Sequence, residues 1–382
     1  GGQLSVAAVD KKQRRRNPAP PFTTSTLQQE ANRKLGFTST RTMRTAQQLY
    51  EGIDLGGETV GLITYMRTDS LSLSQDALHE IREVIVKEFG AVACPPEARY
   101  FKSKSKNAQE AHEAVRPTSA ARTPKSVARH LGPDQLKLYE LIWKRTMAAQ
   151  MTQAVFDTVT AELRVDAKNA FRANGSVLVE PGYLAVYNVS LDVGEEAEDD
   201  EKRLPPLVSG EQINLSDIVA DQHFTEPPPR FTEASLVKTL EAYDIGRPST
   251  YAAIIQTIQD RKYVEPIYPR DKRLGASDLG MVVSDMLTEA FPKVMDVAYT
   301  RYMEAELDKI EDDRKALPEY GLDASDIDRV MKPFEDAVQG LIDNVHKIGE
   351  KLTTGVKGES FTTVYSRAKN LLNSIGDMIG SK

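Results

Sequence analysis

The chain contains 382 residues, of which 40% are hydrophobic and 27% are charged, and its formal net charge is −7. This length is sufficient for two or three domains, and no run of eighteen apolar residues predicts a membrane span. Cys94 is the only cysteine, which excludes a disulfide framework and zinc sites built from cysteine pairs, and favours a cytoplasmic protein.

The charged residues are segregated along the chain. Residues 11–16 form the basic block KKQRRR, and residues 192–201 form the acidic block DVGEEAEDDE. Such blocks are most often solvated loops. Without the acidic block the chain is nearly neutral, so it could present a basic face to an anionic partner.

The first elements predicted along the chain are a strand-like stretch, LSVAAV, and two helices. The hydroxyl residues 24–25 can cap the first helix, and Gly36 ends it. The second helix lies in TMRTAQQLYEG, where Met43, Ala46 and Tyr50 recur on one face.

The next stretch, GLITYMRTDS, predicts a buried strand that ends at Tyr65, and Ser74 can cap the helix QDALHEIREVIVKEF beyond it. If the backbone stays extended, Tyr65 and Arg67 share one face. A guanidinium suits phosphate oxygens, and a tyrosine, with an unperturbed pKa of about 10, needs such charge stabilisation to act as a nucleophile. The alternative is a strand that simply ends in a turn. Asp69 could orient the arginine or cap that turn.

A second polar cluster lies in AQEAHEAVRP, residues 108–117, where His112 stands between two glutamates and precedes Arg116. A helical zinc site would use a second histidine four residues later, and this motif has none. His112 is therefore either a structural histidine or a phosphate contact. No glycine-rich loop followed by Lys-Ser/Thr is present, so nothing in the sequence implies ATP.

The middle of the chain differs from its flanks. Residues 152–224 alternate apolar and polar positions, which predicts a small antiparallel sheet with one solvated face. Residues 227–264 then repeat the pattern of the first two helices, with the same Phe-Thr pair before the first and a glycine after it. Two helices joined by a short glycine-containing turn are typical of a helix-turn-helix. The chain is predicted to be helical after residue 275.

Within this repeat, DIGRPSTY predicts a helix start, with Ser249 as N-cap after Pro248. The free amides of the first turn, together with Thr250 and Arg247, could bind an anion. Arg261, at the far end of the helix, could reach the same nucleic-acid backbone. Capping alone is the alternative interpretation.

These motifs, with PFTTSTLQQEANRKLGF and MRTAQQLYEG, closely resemble the type IA DNA topoisomerases, in particular their bacterial topoisomerase I branch, over about residues 18–315. The resemblance implies that Tyr65 attacks a DNA phosphodiester and becomes joined to the 5′ phosphate, without ATP. It implies that Arg67 holds the scissile phosphate. It also implies a set of residues that bind single-stranded DNA: Asp69, His112, Arg247, Thr250 and Arg261.

The fold implied by the resemblance is a multidomain α+β torus, mainly helical, with winged-helix-like domains and an antiparallel β arch. Five segments are expected: the end of an arch strand and a linker at 1–19, the tyrosine-bearing domain at 20–151, the β-rich arch at 152–224, a helical DNA-binding domain at 225–345, and a helical tail of unassigned role at 346–382.

Type IA topoisomerases begin with a Toprim domain whose acidic residues bind Mg²⁺, and many end in cysteine-rich zinc ribbons. Neither is found in this sequence, which also begins without methionine, as expected of a chain cut from something longer. No metal site is therefore expected here, and the chain alone is expected to bind single-stranded DNA weakly without relaxing supercoils. The expected protein is a monomer in the cytoplasm, at the bacterial nucleoid.

Three hypotheses follow. The chain is the tyrosine-bearing part of an enzyme that relaxes negatively supercoiled DNA, or a single-stranded DNA-binding remnant without catalysis, or a helix-turn-helix regulator. The first two share their DNA-contacting residues and differ in whether a Toprim partner exists. The third leaves GLITYMRTDS unexplained. Topoisomerase III and reverse gyrase belong to the same family, but the three motifs favour topoisomerase I.

Overall fold

The computed structural model describes residues 2–102, 113–166, 168–190, 203–217, 219–268 and 271–316. The chain divides into two compact units, Gly1–Pro229 and Arg230–Lys382, and each is described by itself. The division into five segments remains a prediction. No helix in these ranges is both long and apolar enough to cross a membrane.

The first unit combines helices with an antiparallel sheet. Its elements in chain order are β1 (Gly2–Arg16), α1 (Thr24–Glu30), α2 (Ser39–Glu51), β2 (Ile53–Asp54), β3 (Thr59–Val60), α3 (Gln75–Phe89), α4 (Pro124–Val127), α5 (Pro133–Gln150), β4 (Ala154–Arg164), β5 (Ala170–Glu180) and β6 (Gln212–Leu215).

The sheet has the strand order β5-β4-β1-β6, and all of its pairings are antiparallel. This confirms the predicted antiparallel sheet and adds the N-terminal strand to it. The basic block at 11–16 was expected to be a loop. It forms instead the second half of β1. The ladder with β4 satisfies its backbone groups while the side chains of residues 11–15 stay exposed, so strand pairing and solvation are compatible there.

The helices of this unit enclose one hydrophobic core, to which Phe22, Leu27, Leu49, Ile85 and Ile142 contribute fully buried side chains. Burial of this kind is the main source of stability in a domain. The predicted second and third helices are confirmed as α2 and α3, and the Ser74 hydroxyl caps α3 by accepting the amide of Ala77.

The first predicted helix differs from the prediction at its start and in its last turn, but not in the residue that ends it. Its N-cap is Thr23, in a reciprocal capping box with Thr26, and not residue 24 or 25. After Glu30 the helix widens into a π-helical turn, Ala31–Leu35, and Gly36 ends it in the left-handed conformation, at a φ of 69°, as the sequence predicted. Because Thr23 supplies the cap, the hydroxyl of Thr24 is available for another contact.

The second unit contains α6 (Glu233–Ala242), α7 (Tyr251–Asp260), β7 (Val264–Tyr268), β8 (Asp271–Ala276), α8 (Asp278–Ala290) and α9 (Val297–Ala316). Val237, Tyr251 and Ile255 form a small core between α6 and α7. Strands β7 and β8 form an antiparallel hairpin directly after α7.

The two units share a local structure, as the sequence repeat predicted. In the first, the amide of Thr23 donates to the Thr26 hydroxyl at 2.9 Å, and the carbonyl of the preceding Phe22 accepts the amide of Val115 at 2.8 Å. In the second, the amide of Thr232 donates to the Ser235 hydroxyl at 2.8 Å. There the carbonyl of Phe231 accepts the amide of Leu274 at 2.7 Å. Each helix pair is thus tied to a later extended segment through its phenylalanine.

The predicted cap of α7 is wrong. Ser249 lies in a turn, and the helix begins at Tyr251 after Thr250, whose side chain makes no capping bond. The carbonyl of Arg247 accepts the amides of Thr250 and Tyr251, at 2.8 and 3.2 Å, so the chain makes one tight turn before the helix starts.

Candidate functional site

The segment that carries Tyr65 is irregular rather than the predicted strand. Ile63 forms an isolated bridge with Pro117, and the backbone bends at Met66 and Arg67. The side chains nevertheless alternate as an extended chain predicts, since Met66 is buried while Arg67 is exposed and Tyr65 is 40% exposed. Asp69, two residues further on, is half-buried. The nucleophile candidate and the arginine therefore both reach solvent on either side of a buried methionine.

The first turn of α1 holds this loop through the buried residue Thr24, which is 1% exposed. Its hydroxyl donates to the carbonyl of Met66 at 2.6 Å and accepts the amide of Thr68 at 2.8 Å. Its own amide donates to the Thr68 carbonyl at 2.8 Å. Three hydrogen bonds thus fix the backbone on both sides of Arg67. From the sequence, Thr24 was predicted only as a cap, although four hydroxyl residues in a row, at 23–26, where one cap suffices, indicate a second role.

The described part of the AHEAVRP motif, residues 113–117, lies directly beside the residue that precedes the tyrosine. The amide of Thr64 donates to the carbonyl of Arg116 at 2.9 Å, and the Thr64 hydroxyl donates to the carbonyl of Ala114 at 2.7 Å. His112 lies outside the described residues, so its predicted DNA contact is not placed. The described part of the motif nevertheless brings this segment to the tyrosine loop.

The side chain of Glu113 also holds the segment 113–117 in place through hydrogen bonds. Its carboxylate accepts the amide of Ser74 at 2.5 Å and the guanidinium of Arg116 at 2.5 Å. Burial pushes the pKa of Glu113 up, but the hydrogen bonds from Arg116 and Ser74 outweigh it and hold the pKa below the ordinary 4.5. Glu113 is therefore ionised at neutral pH and joins the N-terminus of α3 to the His112 motif.

Tyr50 is the neighbour of Tyr65 that the sequence analysis assigned to the apolar face of α2. It is 40% exposed, and its ring meets the ring of Tyr65 edge to face, with 5.3 Å between centroids. The backbone of residues 61–62 also contacts the end of α2. The amide of Leu62 donates to the carbonyl of Leu49 at 2.7 Å, and a Cβ on Gly61 would lie 2.6 Å from the Tyr50 carbonyl oxygen. The end of α2 therefore supports the chain just before Tyr65, and the ring contact itself contributes about 0.5–1.5 kcal/mol.

The electrostatics around Tyr65 favour an anion. In the described part of the chain, Arg67 makes no hydrogen bond or ion pair, so its guanidinium is available to phosphate oxygens. No three histidine, cysteine, aspartate or glutamate side chains in that part come together as a metal site. The described side chains thus offer a candidate nucleophile and an anion-binding group.

The second predicted site, around DIGRPSTY, lies in the second unit, and its arginine is already engaged. Nε and Nη2 of Arg247 donate to the two carboxylate oxygens of Asp308, at 3.0 and 2.6 Å, which raises the pKa of Arg247 further. The hydroxyl of Thr250 accepts the amide of Arg247 at 2.8 Å. Arg261, at the C-terminus of α7, is half-exposed. At the turn where an anion site was expected, the arginine is therefore paired with a carboxylate, and anion binding there remains a prediction.

The chain is similar to known proteins along most of its length. Residues 1–320 match the family described as DNA topoisomerase. The chain is 52% identical over 311 residues to DNA topoisomerase 1 of Xylella fastidiosa, covering 81% of this chain and 38% of that protein. It is 51% identical over 306 residues to DNA topoisomerase 1 of Rickettsia felis, covering 80% and 39%.

Among solved structures, full-length topoisomerase I from Thermotoga maritima superimposes with a TM-score of 0.70 at 35% sequence identity, covering 89% of this chain and 52% of that one. The chain thus spans less than half the length of the curated relatives described above. The family match over residues 1–320 and the identity to these relatives agree with the motifs around Tyr65 and Arg247. The chain belongs to the bacterial DNA topoisomerase I family.

Proposed function

We propose that the chain is the tyrosine-bearing part of a type IA topoisomerase, which cuts and reseals one DNA strand without ATP. In the complete protein, passage of another strand through the break would relax negatively supercoiled DNA. The observation that carries the proposal is that Tyr65 and Arg67 are exposed on a loop whose backbone is held by hydrogen bonds to the Thr24 hydroxyl. A positioned nucleophile next to an exposed cation is the arrangement that attack on a phosphodiester requires.

The chemistry assigned to Tyr65 is a transesterification. The phenol oxygen forms a bond to phosphorus and loses its proton, and the bond from phosphorus to the 3′ oxygen breaks, so that the 3′ oxygen leaves as a protonated hydroxyl. The DNA is then joined to Tyr65 through its 5′ phosphate. The reverse attack by the 3′ hydroxyl reseals the strand, and because one phosphodiester replaces another, no nucleotide hydrolysis is needed.

Arg67 is assigned to the phosphate. Its planar guanidinium can donate two parallel hydrogen bonds to non-bridging oxygens and stabilise the charge that builds up on them. The groups that protonate the 3′ oxygen, and the carboxylates that would hold Mg²⁺, are assigned to a Toprim domain outside this chain. No step is therefore assigned to Mg²⁺ here.

The remaining proposed contacts are to single-stranded DNA. We assign α6, α7 and the hairpin β7–β8 to a winged-helix-like element, since a hairpin directly follows a helix pair there. Asp69, His112, Thr250 and Arg261 are proposed to contact the strand, and Arg247 is treated below. The toroidal arrangement, a monomeric state and a location at the bacterial nucleoid in the cytoplasm complete the proposal.

Cleavage of end-labelled single-stranded DNA tests this assignment. The chain would be incubated with the DNA, with and without a separately supplied Toprim fragment and Mg²⁺, and analysed on denaturing gels. We expect a covalent adduct with the partner, its loss in Tyr65→Phe, and its retention in Tyr100→Phe, which alters another exposed tyrosine. If binding is intact but no adduct forms under any condition, the chain is a single-stranded DNA-binding remnant and the proposal is wrong.

A further inference from the structure

Arg247, the arginine of the DIGRPSTY turn, donates most of its hydrogen bonds to groups within the protein. Of its five N–H donors, two go to Asp308, and Nη1 also donates to the carbonyls of Gly246 at 2.7 Å and Asp244 at 3.2 Å. Its side chain is 30% exposed. Four of its five donors are thus occupied, so a phosphate could receive a parallel pair of hydrogen bonds from Arg247 only by replacing a group already there.

A second carboxylate from α9 completes this arrangement. Glu304 accepts the backbone amide of Gly246 at 2.9 Å, and its other oxygen lies 3.6 Å from Nη1 of Arg247. Glu304 and Asp308 are four residues apart on α9, so they lie on one face of the helix. Together they supply oxygen acceptors to a guanidinium and to a backbone amide, which are the two kinds of donor that bind phosphate groups of nucleic acids.

We propose that α9 is a competitive latch on this turn: Glu304 and Asp308 occupy the donors of Arg247 and Gly246 until phosphates of single-stranded DNA replace them. The inference rests on the proposed function, because it assumes that DNA binds this turn. A partly exposed ion pair is weak enough to exchange with another anion. In this proposal Asp308 lowers the affinity for DNA, and Arg247 contributes to binding only after it leaves Asp308.

Fluorescence anisotropy of a labelled single-stranded oligonucleotide tests the latch in the full chain. Asp308→Asn keeps the shape of the side chain and removes its charge. We expect it to bind about three- to fivefold more tightly, with a steeper dependence on salt because one more cation is available to phosphate. Glu306→Gln is the matched control, since it removes the same charge from the same helix but pairs with Lys309 instead. Equal affinity of the two variants, or weaker binding by Asp308→Asn, would overturn the proposal.

The double variant separates a direct role of Arg247 from a general charge effect. In the Arg247→Ala background, Asp308→Asn should no longer increase affinity, because the released guanidinium is the group that gains the phosphate. If the gain persists without Arg247, the carboxylate acts only through long-range repulsion and the latch is refuted.

A measurement on the unaltered chain covers the case in which a variant fails to fold. The Nε–H resonance of Arg247, identified by its absence in Arg247→Lys, should shift as oligonucleotide is added and should saturate with the anisotropy. Binding without such a shift means that Arg247 stays on Asp308, which contradicts the latch. If neither the unaltered chain nor Asp308→Asn binds the oligonucleotide, the latch is also refuted. The adduct at Tyr65 is judged in a separate assay, so the two proposals can fail independently.

Discussion

The structure predicts that Thr24→Val weakens both the fold and the loop that carries Tyr65. Valine has nearly the same shape as threonine, so the substitution opens no cavity, but it removes the hydroxyl that contacts the Met66 carbonyl and the Thr68 amide. These two backbone groups belong to the residues on either side of the exposed Arg67, and the side chains of both residues are buried. The change therefore removes partners from the loop while leaving the packing of α1 intact.

The magnitude follows from the number of groups left without a partner. A buried polar group that loses its hydrogen bond costs about 1–3 kcal/mol. Two such groups give a loss of roughly 2–4 kcal/mol in the free energy of unfolding, because the loop can relax in part. Thr24→Ser is the matched control, since it keeps the hydroxyl and removes only one methyl group, at a cost of about 1 kcal/mol.

Urea unfolding and adduct formation check this expectation in the same preparations. Thr24→Val should unfold at a lower midpoint than Thr24→Ser, and its adduct at Tyr65 should form at least about tenfold more slowly, since small displacements of catalytic groups are costly. Affinity for the oligonucleotide should change less, because Arg67 remains charged. Equal stability and equal adduct rates in the two variants would show that the two hydrogen bonds of the Thr24 hydroxyl do not hold the loop.

Two further predictions concern the same loop. Because the pKa of Glu113 is lowered in the folded state, its stabilising effect is present above its ordinary value of 4.5 and disappears as the pH falls below it. Glu113→Gln should therefore be less stable than the unaltered chain by about 1–3 kcal/mol at pH 7, and this gap should close on acidification in urea titrations; a pH-independent gap would contradict the assignment. Gly61→Ala places a Cβ 2.6 Å from the carbonyl oxygen of Tyr50 and should cost about 1–3 kcal/mol and slow adduct formation. Gly132→Ala, whose Cβ meets only a flexible side-chain end at 3.5 Å, should do neither in the same melting and gel assays.

Local signals in the sequence predicted several elements correctly. Ser74 followed by an amphipathic run predicted α3 with its cap, and Gly36 predicted the end of the first helix. These features depend on residues only a few positions apart. The exposure of Tyr65 and Arg67 on either side of Met66 was also predictable, because it depends on alternation along a short extended segment.

The features that could not be predicted from the sequence depend on distant partners. Asp308 lies on a helix that begins fifty residues beyond the DIGRPSTY turn, and no spacing rule connects its carboxylate to Arg247. Thr24 contacts a loop more than forty residues away. The basic block was expected in a loop because its charges favour solvent, whereas pairing with β4 satisfies the backbone without burying the charged groups.

The long strand β1 leads along the chain directly to α1, the helix whose first turn holds the Tyr65 loop. It ends at Arg16, and the short segment that follows is held by Arg145, whose Nε donates to the carbonyl of Pro20 at 2.6 Å, before the chain reaches Thr24. A rotation of the sheet would therefore pull on α1 with little slack, and the force would reach the backbone on both sides of Arg67. We therefore expect that a displacement of the sheet would be passed on to the Tyr65 loop through this anchored segment.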